Sequence, residues 1–118
     1  MSTLTTEQIR ETCETYVSLV GSEDVDAMVA LFTEDGRIED PAGSDAHVGH
    51  EAIRAFYATL PPMGVSAALT GPVHAVADAA TAAFPFEVHT GDMVMQVIDV
   101  MTFDADGRIA TMTAYWKM

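Results

Sequence analysis

The feature that most constrains the fold is a long apolar run, Met93–Phe103, whose regular pattern is interrupted by one carboxylate. Its alternation predicts a β-strand, in which successive side chains point to opposite faces. An ionised carboxylate on an apolar face costs several kcal/mol, so Asp99 either finds a partner or keeps its proton and can donate a hydrogen bond. Alternatively, Asp99 reaches water at a strand end or bulge, and the pattern leaves both interpretations open. The face in question carries Met93, Met95, Val97, Asp99, Met101 and Phe103.

The second half of the sequence is typical of an antiparallel meander. Short turns rich in Gly, Asp and Ala separate strand-like stretches, as in β-hairpins. Pro85 lies inside one stretch and indicates a bulge or an edge there, because proline cannot donate a ladder hydrogen bond. The predicted strands are Ser66–Leu69, Val73–Ala77, Thr81–His89, Met93–Phe103 and Arg108–Lys117.

Helical signals precede these strands. Thr5 and Gln8 have the spacing of a capping box, and apolar residues then recur at helical spacing until Gly21. A second helix is predicted from Asp24 to Gly36, followed by a short extended segment, 37–40. A third helix carries Ile53, Phe56, Tyr57 and Leu60 on one face and stops at Pro61. Three helices before a meander predict an α+β fold with the helices on one side of a curved sheet.

Size and charge narrow the class of function. A chain of 118 residues with no repeat is expected to form one domain, 1–118, and its 49% hydrophobic content indicates apolar surface facing a ligand cavity or a partner subunit. Five Lys and Arg against 18 Asp and Glu give a net charge of −13, which disfavours nucleic acid, anionic membranes and phosphate ligands. A neutral, apolar small molecule is the expected partner.

Motifs for metals, cofactors and targeting are not found in the sequence. The single cysteine, Cys13, permits no intrachain disulfide and lies on the apolar stripe of the first helix. His47 and His50 lack a third ligand at metal spacing, and neither a nucleophile triad nor a glycine-rich phosphate loop is present. No basic-apolar leader or membrane-length run is seen, so a soluble cytoplasmic protein without metal or cofactor is expected.

Asp40 and Tyr16 are the other candidate functional residues. In an extended segment Ile38 and Asp40 share a face, and Pro41 stiffens the backbone beside the carboxylate. The alternative for Asp40 is ordinary turn chemistry at the start of a loop. Tyr16 lies on the buried stripe of the first helix, so its hydroxyl either closes onto a core partner or points into a cavity, and the same holds for Tyr57.

Taken together, these residues resemble the Δ5-3-ketosteroid isomerases over essentially the whole chain. The matching features are Tyr16, the string Glu39-Asp40-Pro41-Ala42-Gly43-Ser44, the helix Ala52–Tyr57, and Ile98-Asp99 in the long strand. The Asp-Pro-x-Gly segment is shared widely among the cone-shaped, nuclear-transport-factor-like folds. The combination of Tyr16, Asp40 and Asp99 is much narrower.

The resemblance implies a fold, a reaction and a site. The helices would pack on a strongly curved, mainly antiparallel sheet around a conical apolar pocket. Asp40 would be the base that moves a proton between two steroid carbons, with Tyr16 and a protonated Asp99 donating to the carbonyl oxygen and Tyr57 supporting Tyr16. The resemblance implies a homodimer with sheets packed face to face. It implies neither a metal nor a cofactor. Candidates for the apolar walls around the steroid are Phe86, Val88, Met95, Phe103, Met112 and Trp116.

One departure and two alternative functions accompany this resemblance. Phe32 replaces a further tyrosine found in some relatives, which would shorten the hydrogen-bond chain. A different enzyme on the same fold, such as a polyketide cyclase or dehydratase, would keep Asp40 and often lack the pair of Tyr16 and Asp99. A non-catalytic domain that binds small hydrophobic ligands would use Asp99 only as a buried structural acid.

Overall fold

The first helix forms where its capping signal predicts. The computed structural model describes residues 4–116, and α1 spans Thr6–Leu19. The amide of Gln8 donates to Thr5 Oγ1 at 3.1 Å and the amide of Thr5 donates to Gln8 Oε1 at 2.8 Å, which satisfies two otherwise unpaired donors at the helix start. The helix buries Ile9, Cys13 and Tyr16 against the sheet.

The second helix is much shorter than predicted. α2 spans only Val25–Val29, and the prediction that it continues to Gly36 is wrong because the chain enters strand β1, Phe32–Glu39. Residues 25, 28, 29 and 32 fit a helical period, but Phe32 pairs with Ile109 from the far end of the chain. A long-range pairing of this kind overrides local periodicity and leaves no trace in it.

The third helix, α3, spans His50–Tyr57 and buries Ile53 and Tyr57. A short β2, His47–Val48, precedes it, and a single turn of 3₁₀-helix, Pro61–Met63, follows. His50 Nε2 lies 2.9 Å from the carbonyl oxygen of Phe32, which ties the start of α3 to β1. This helix therefore has a fixed position over the first strand.

The remaining strands lie close to their predicted positions. They are β3, Ser66–Leu69; β4, His74–Val76; β5, Thr81–Thr90; β6, Met93–Phe103; and β7, Ile109–Tyr115. The sheet has the order β2-β1-β7-β6-β5-β3, with β4 also on β5. All pairs are antiparallel except β1 with β7, so the sheet is mixed, and the predicted α+β fold is confirmed.

Pro85 occupies a gap in the pairing of β5. Towards β6 its pairing is continuous, opposite Ile98, while on the other side β3 ends opposite Phe86 and β4 begins opposite Ala83. The Pro85 carbonyl accepts from Thr70 on that second side. The amide hydrogen that proline lacks would point the same way, so no ladder hydrogen bond is lost.

Opposite residues on three strands define the closed end of the concave face. Phe84 lies opposite Asp99, and Asp99 lies opposite Ala114, all at most 2% exposed. Glu39 pairs with Thr113, which places Asp40 beside Ala114 at the end of the same row. The sheet therefore brings Asp40 and Asp99 to one level although the chain separates them.

Within residues 4–116 no helix has the length and apolar character needed to span a membrane.

Candidate active site

An apolar cavity of about 250 Å³ opens between the concave sheet face and helices α1 and α3. Among residues 4–116, Asp40 is the only charged residue that lines it. Burial of a small molecule in such a cavity is driven by its apolar walls, while the few polar groups fix its orientation. The lining residues are Tyr16, Val20, Asp40, Phe56, Tyr57, Leu60, Met63, Val65, Phe86, Val88, Thr90, Met95, Val97 and Trp116.

Most of the predicted site residues meet at this cavity, and three do not line it. Asp99 lies behind the wall, with no exposed surface. Phe103 lies four residues further along β6 and Met112 two residues before Ala114 on β7, so both are buried away from the ligand space. The predicted residues that do line the cavity are Tyr16, Asp40, Tyr57, Phe86, Val88, Met95 and Trp116.

Asp40 is held at the cavity edge by Trp116. The Trp116 indole Nε1 donates to Asp40 Oδ1 at 2.6 Å, and Asp40 is half-buried. Burial raises the pKa of Asp40, while the indole hydrogen bond and then nearby His47 act in the lowering direction. The loop after Asp40 contains the cis peptide Asp40-Pro41. One carboxyl oxygen of Asp40 is thus held by a neutral donor.

Two backbone contacts keep the loop that follows Asp40 in place. The Gly43 amide donates to Glu39 Oε2 at 2.8 Å, and the Ala42 amide donates to the Ala114 carbonyl at 2.8 Å. Glu39, whose side chain points to the opposite face of the strand from Asp40, therefore holds the loop. Asp40 is anchored both through its side chain and through its backbone neighbours.

Tyr16 and Tyr57 form a hydrogen-bonded pair on the cavity wall. Their hydroxyl oxygens are 2.7 Å apart, and both rings are at most 4% exposed. Burial raises the pKa of each hydroxyl well above its ordinary value, so both are neutral donors. Phe32 packs its ring 6.5 Å from that of Tyr16 and 6.2 Å from that of Tyr57, where it adds rigidity but no further hydroxyl.

Asp99 is fully buried in the middle of β6, and its strand pairs regularly with both neighbours at this point. The interpretation in which it reaches water at a bulge is therefore wrong. Neither carboxyl oxygen has a hydrogen-bond partner among residues 4–116. Burial raises the pKa of Asp99 well above its ordinary value, the charge of Asp40 adds to this, and the nearby Tyr16 hydroxyl acts in the opposite direction. Burial therefore favours the neutral, protonated form of Asp99, which lies behind the cavity wall.

Several residues near the site were missed by sequence reasoning. Trp116 was predicted only as an apolar wall, although a buried indole N–H usually finds an acceptor, and that rule is the signal that could have found its bond to Asp40. The His47 ring packs at a tilt against Phe56, with ring centres 4.9 Å apart, and His47 lies opposite Ile38. Thr90 lies at the cavity mouth, and no pattern in the sequence marked it.

The chain is similar in sequence to a known domain family and to two named enzymes. The profile of the SnoaL-like domain family matches residues 13–112. A steroid Delta-isomerase from Nocardioides simplex is 39% identical over 111 residues, which cover 92% of this chain and 89% of that protein. The epoxide hydrolase LasB from Streptomyces lasalocidi is 28% identical over 135 residues, covering 93% of this chain but only 48% of that protein.

A solved structure shows the same fold. The epoxide hydrolase/cyclase-like enzyme SalBIII, described in pyran ring formation in the polyether salinomycin, superposes with a TM-score of 0.86 at 28% identity, over 95% of this chain and 92% of that one. The match with the steroid isomerase relative extends over most of both chains, as the resemblance in the sequence implies. The chain belongs to the SnoaL-like domain family.

Proposed function

We propose that this protein is a steroid isomerase that moves the C=C bond of a Δ5-3-ketosteroid into conjugation with the carbonyl. The observation that carries the proposal is the pairing of one carboxylate, Asp40, with one hydroxyl donor, Tyr16, in a cavity whose other walls are almost entirely apolar. The relationship to a steroid Delta-isomerase supports it. The apolar walls suit a neutral ring system, and the net charge of −13 disfavours anionic ligands.

Asp40 is the proposed base. Its carboxylate takes a proton from C4, the C–H electron pair moves into a dienolate, and the same carboxyl group then returns the proton to C6. Trp116 occupies Oδ1, which leaves Oδ2 as the oxygen that carries the proton. A base with a raised pKa is stronger, provided that it is still ionised at the working pH.

Tyr16 is the proposed main donor to the dienolate oxygen. If Tyr57 donates to Tyr16, the Tyr16 hydrogen is free to point into the cavity, and the two hydroxyls form a chain that ends on the substrate. Donors fixed in advance in an apolar site stabilise the developing charge most effectively, because they need no reorganisation.

Asp99 is the proposed second donor. Its proton has no other partner among the described residues, and it lies in the same register row as the position of Asp40. Because Asp99 has no exposed surface, the wall in front of it has to shift before a steroid carbonyl can reach it. No metal or cofactor has a part in this scheme.

The proposed assembly is a homodimer through the outer face of the sheet. This face exposes apolar side chains of β6 and β7, with Val94, Ile98 and Tyr115 each about half exposed. A chain of charge −13 repels its own copy through most surfaces, so a largely uncharged sheet face is the favourable contact.

The test is a spectrophotometric assay of conjugated enone formation from a Δ5-3-ketosteroid. We expect turnover by the wild type and a loss of about 10²–10⁴-fold in Asp40→Asn, which removes the base but keeps the shape and the Trp116 contact. Binding of a phenolic steroid, a mimic of the dienolate, is expected to persist in the variant. Wild-type protein that binds the phenol but produces no enone would show a binding domain rather than an isomerase.

A second candidate function is the opening of an epoxide. The pairing of an ionisable carboxyl, Asp40, with a buried neutral one, Asp99, supplies a base for an attacking hydroxyl and an acid for the epoxide oxygen. LasB and SalBIII, which are named for such chemistry, are relatives at 28% identity. Incubation with a hydroxy-epoxide would show ring opening by a new chromatographic product, and absence of that product together with enone formation would favour the isomerase.

A further inference from the structure

The cavity has a polar group at its mouth that the proposed chemistry does not use. On β5 the inward-facing residues after Phe84 are Phe86, Val88 and Thr90, the last residue of the strand. Six residues of strand, about 20 Å, separate Thr90 from the closed end at Phe84. A ligand whose carbonyl lies near Tyr16 and Asp99 therefore points its opposite end towards Thr90.

The other polar side chains on the cavity wall form hydrogen bonds with one another and belong to the proposed reaction site. Tyr16 pairs with Tyr57, and the Trp116 indole is donated to Asp40. Thr90 remains, and its hydroxyl donates to the carbonyl oxygen of Met63 at 3.2 Å across the mouth. Its only hydrogen is thus in use, while the lone pairs of its oxygen stay available as acceptors.

We infer that Thr90 selects, at the end remote from the reacting carbonyl, a ligand that carries a hydroxyl rather than a ketone. A ligand hydroxyl can donate to Thr90 Oγ1 without disturbing the bond to Met63. A ketone has no hydrogen to donate. It can bind Thr90 only if the Thr90 hydroxyl breaks its hydrogen bond to the Met63 carbonyl and donates to the ketone instead. This inference rests on the proposed function, because it requires the steroid to enter carbonyl first.

The expected selectivity is that of one neutral hydrogen bond at a half-buried site. Such a bond changes affinity by about three- to tenfold, and an acceptor that faces another acceptor adds to the discrimination. The remaining mouth residues, including Met63 and Met95, contribute apolar contact that does not distinguish the two ligands.

The experiment compares two phenolic steroids that differ only at the ring remote from the phenol, one carrying a hydroxyl and the other a ketone. Their dissociation constants are measured by calorimetry with the wild type, Thr90→Val and Thr90→Ser. We expect the wild type to favour the hydroxyl ligand by about three- to tenfold relative to Thr90→Val, and Thr90→Ser to keep that preference. The ratio between variants removes the intrinsic difference in hydration between the ligands.

The outcomes separate the two proposals. An unchanged ratio in Thr90→Val, with both ligands still bound, would overturn the role of Thr90 and leave the isomerase proposal intact. Binding of neither ligand by the wild type would overturn both. Thermal unfolding of each variant checks that it is folded, and Thr90→Ala, which also lacks the hydroxyl, takes the place of Thr90→Val if that variant is not.

Discussion

At the scale of single residues, burial raises the pKa of Asp40 and Trp116 opposes that shift. Its indole N–H is a neutral donor, so it lowers the pKa of the carboxyl without placing a charge in the apolar cavity. A cation in the same place would lower the pKa further and make a weaker base. In the proposed mechanism this balance favours an Asp40 that is ionised and still basic enough to accept a proton from carbon.

Replacing Trp116 by Phe is expected to move the acid limb of the kcat/KM profile to higher pH. The base works only when ionised, activity is lost below its pKa, and removal of a partner that lowers this pKa raises it. The measurement is kcat/KM against pH, with Tyr115→Phe, an exposed neighbouring aromatic, as the control. An acid limb at the same pH in Trp116→Phe would contradict this role of the indole.

Asp99 gives a second, independent prediction through stability. Because burial raises its pKa in the folded state, its stabilising contribution is complete below the unfolded-state pKa of about 4 and is lost as pH rises towards the folded-state value. In that window the wild type should lose about 1.4 kcal/mol per pH unit relative to Asp99→Asn, which does not titrate. Denaturant unfolding of both proteins at a series of pH values measures the difference. Parallel curves would show that Asp99 titrates normally.

At the scale of secondary-structure elements, local signals succeeded where a single element decides the outcome. The capping box starts α1 where predicted, and the residues of β6 that are buried, Val97, Asp99, Met101 and Phe103, all belong to the face that alternation assigned. The same reasoning wrongly predicted that α2 continues through residues 30–36, because an apolar residue at Phe32 fits both a helical period and the buried face of a strand. Only the pairing with Ile109 distinguishes them.

For the candidate site, too, features that depend on one element could be predicted, and features that depend on two could not. The sequence placed Tyr16 and Asp40 on inward faces because each needed only its own element. The Asp40–Trp116 hydrogen bond joins residues 76 positions apart and depends on the register of β1 against β7. The contact of Thr90 with Met63 depends on where β5 ends relative to the 3₁₀ turn. No periodicity along the chain carries that information.

The exit from α1 depends on Gly21. Its φ is +80°, and a Cβ there would lie 1.7 Å from the backbone carbonyl oxygen of Val65. Gly21→Ala therefore combines left-handed strain with a collision that only backbone movement, at the exit of α1 or at Val65, can relieve. Gly91→Ala is the matched control, because Gly91 has φ +59° and no atom within 4 Å of a built Cβ.

We expect Gly91→Ala to cost about 1–2 kcal/mol and Gly21→Ala clearly more. Chemical denaturation of both variants beside the wild type measures this. Equal losses would mean that strain alone explains Gly21 and that the approach of Val65 has no energetic weight.

At the scale of the whole molecule, charge is the dominant property. Eighteen acidic residues oppose five basic ones, and residues 4–116 contain one ion pair of Arg54 with Asp26 and one contact of His89 with Glu87. Surface pairs of this kind contribute little to stability, so self-repulsion dominates. The compact state holds this charge at closer range than the unfolded chain does.

Added sodium chloride is therefore expected to raise the melting temperature at neutral pH. Raising the ionic strength from about 0.01 M to about 0.1 M shortens the screening length from roughly 30 Å to roughly 10 Å, which weakens repulsion across the molecule. Differential scanning calorimetry at several salt concentrations measures the shift, with sucrose of equal osmolality as the control. A melting temperature that falls with salt would mean that attractive pairs outweigh the repulsion.

The parallel pairing of β1 with β7 has a consequence for the order in which the protein matures. During synthesis on the ribosome, β1 emerges long before β7. The edge of β1 that pairs with β7 therefore has no partner until the later strand is made. Contacts of such sequence separation are slow to form, because a long loop has to close first. Asp40 therefore acquires its Trp116 donor and its fixed loop only when the seventh strand docks. The surroundings of the proposed base are therefore among the last parts of the molecule to be completed, since they require the seventh strand.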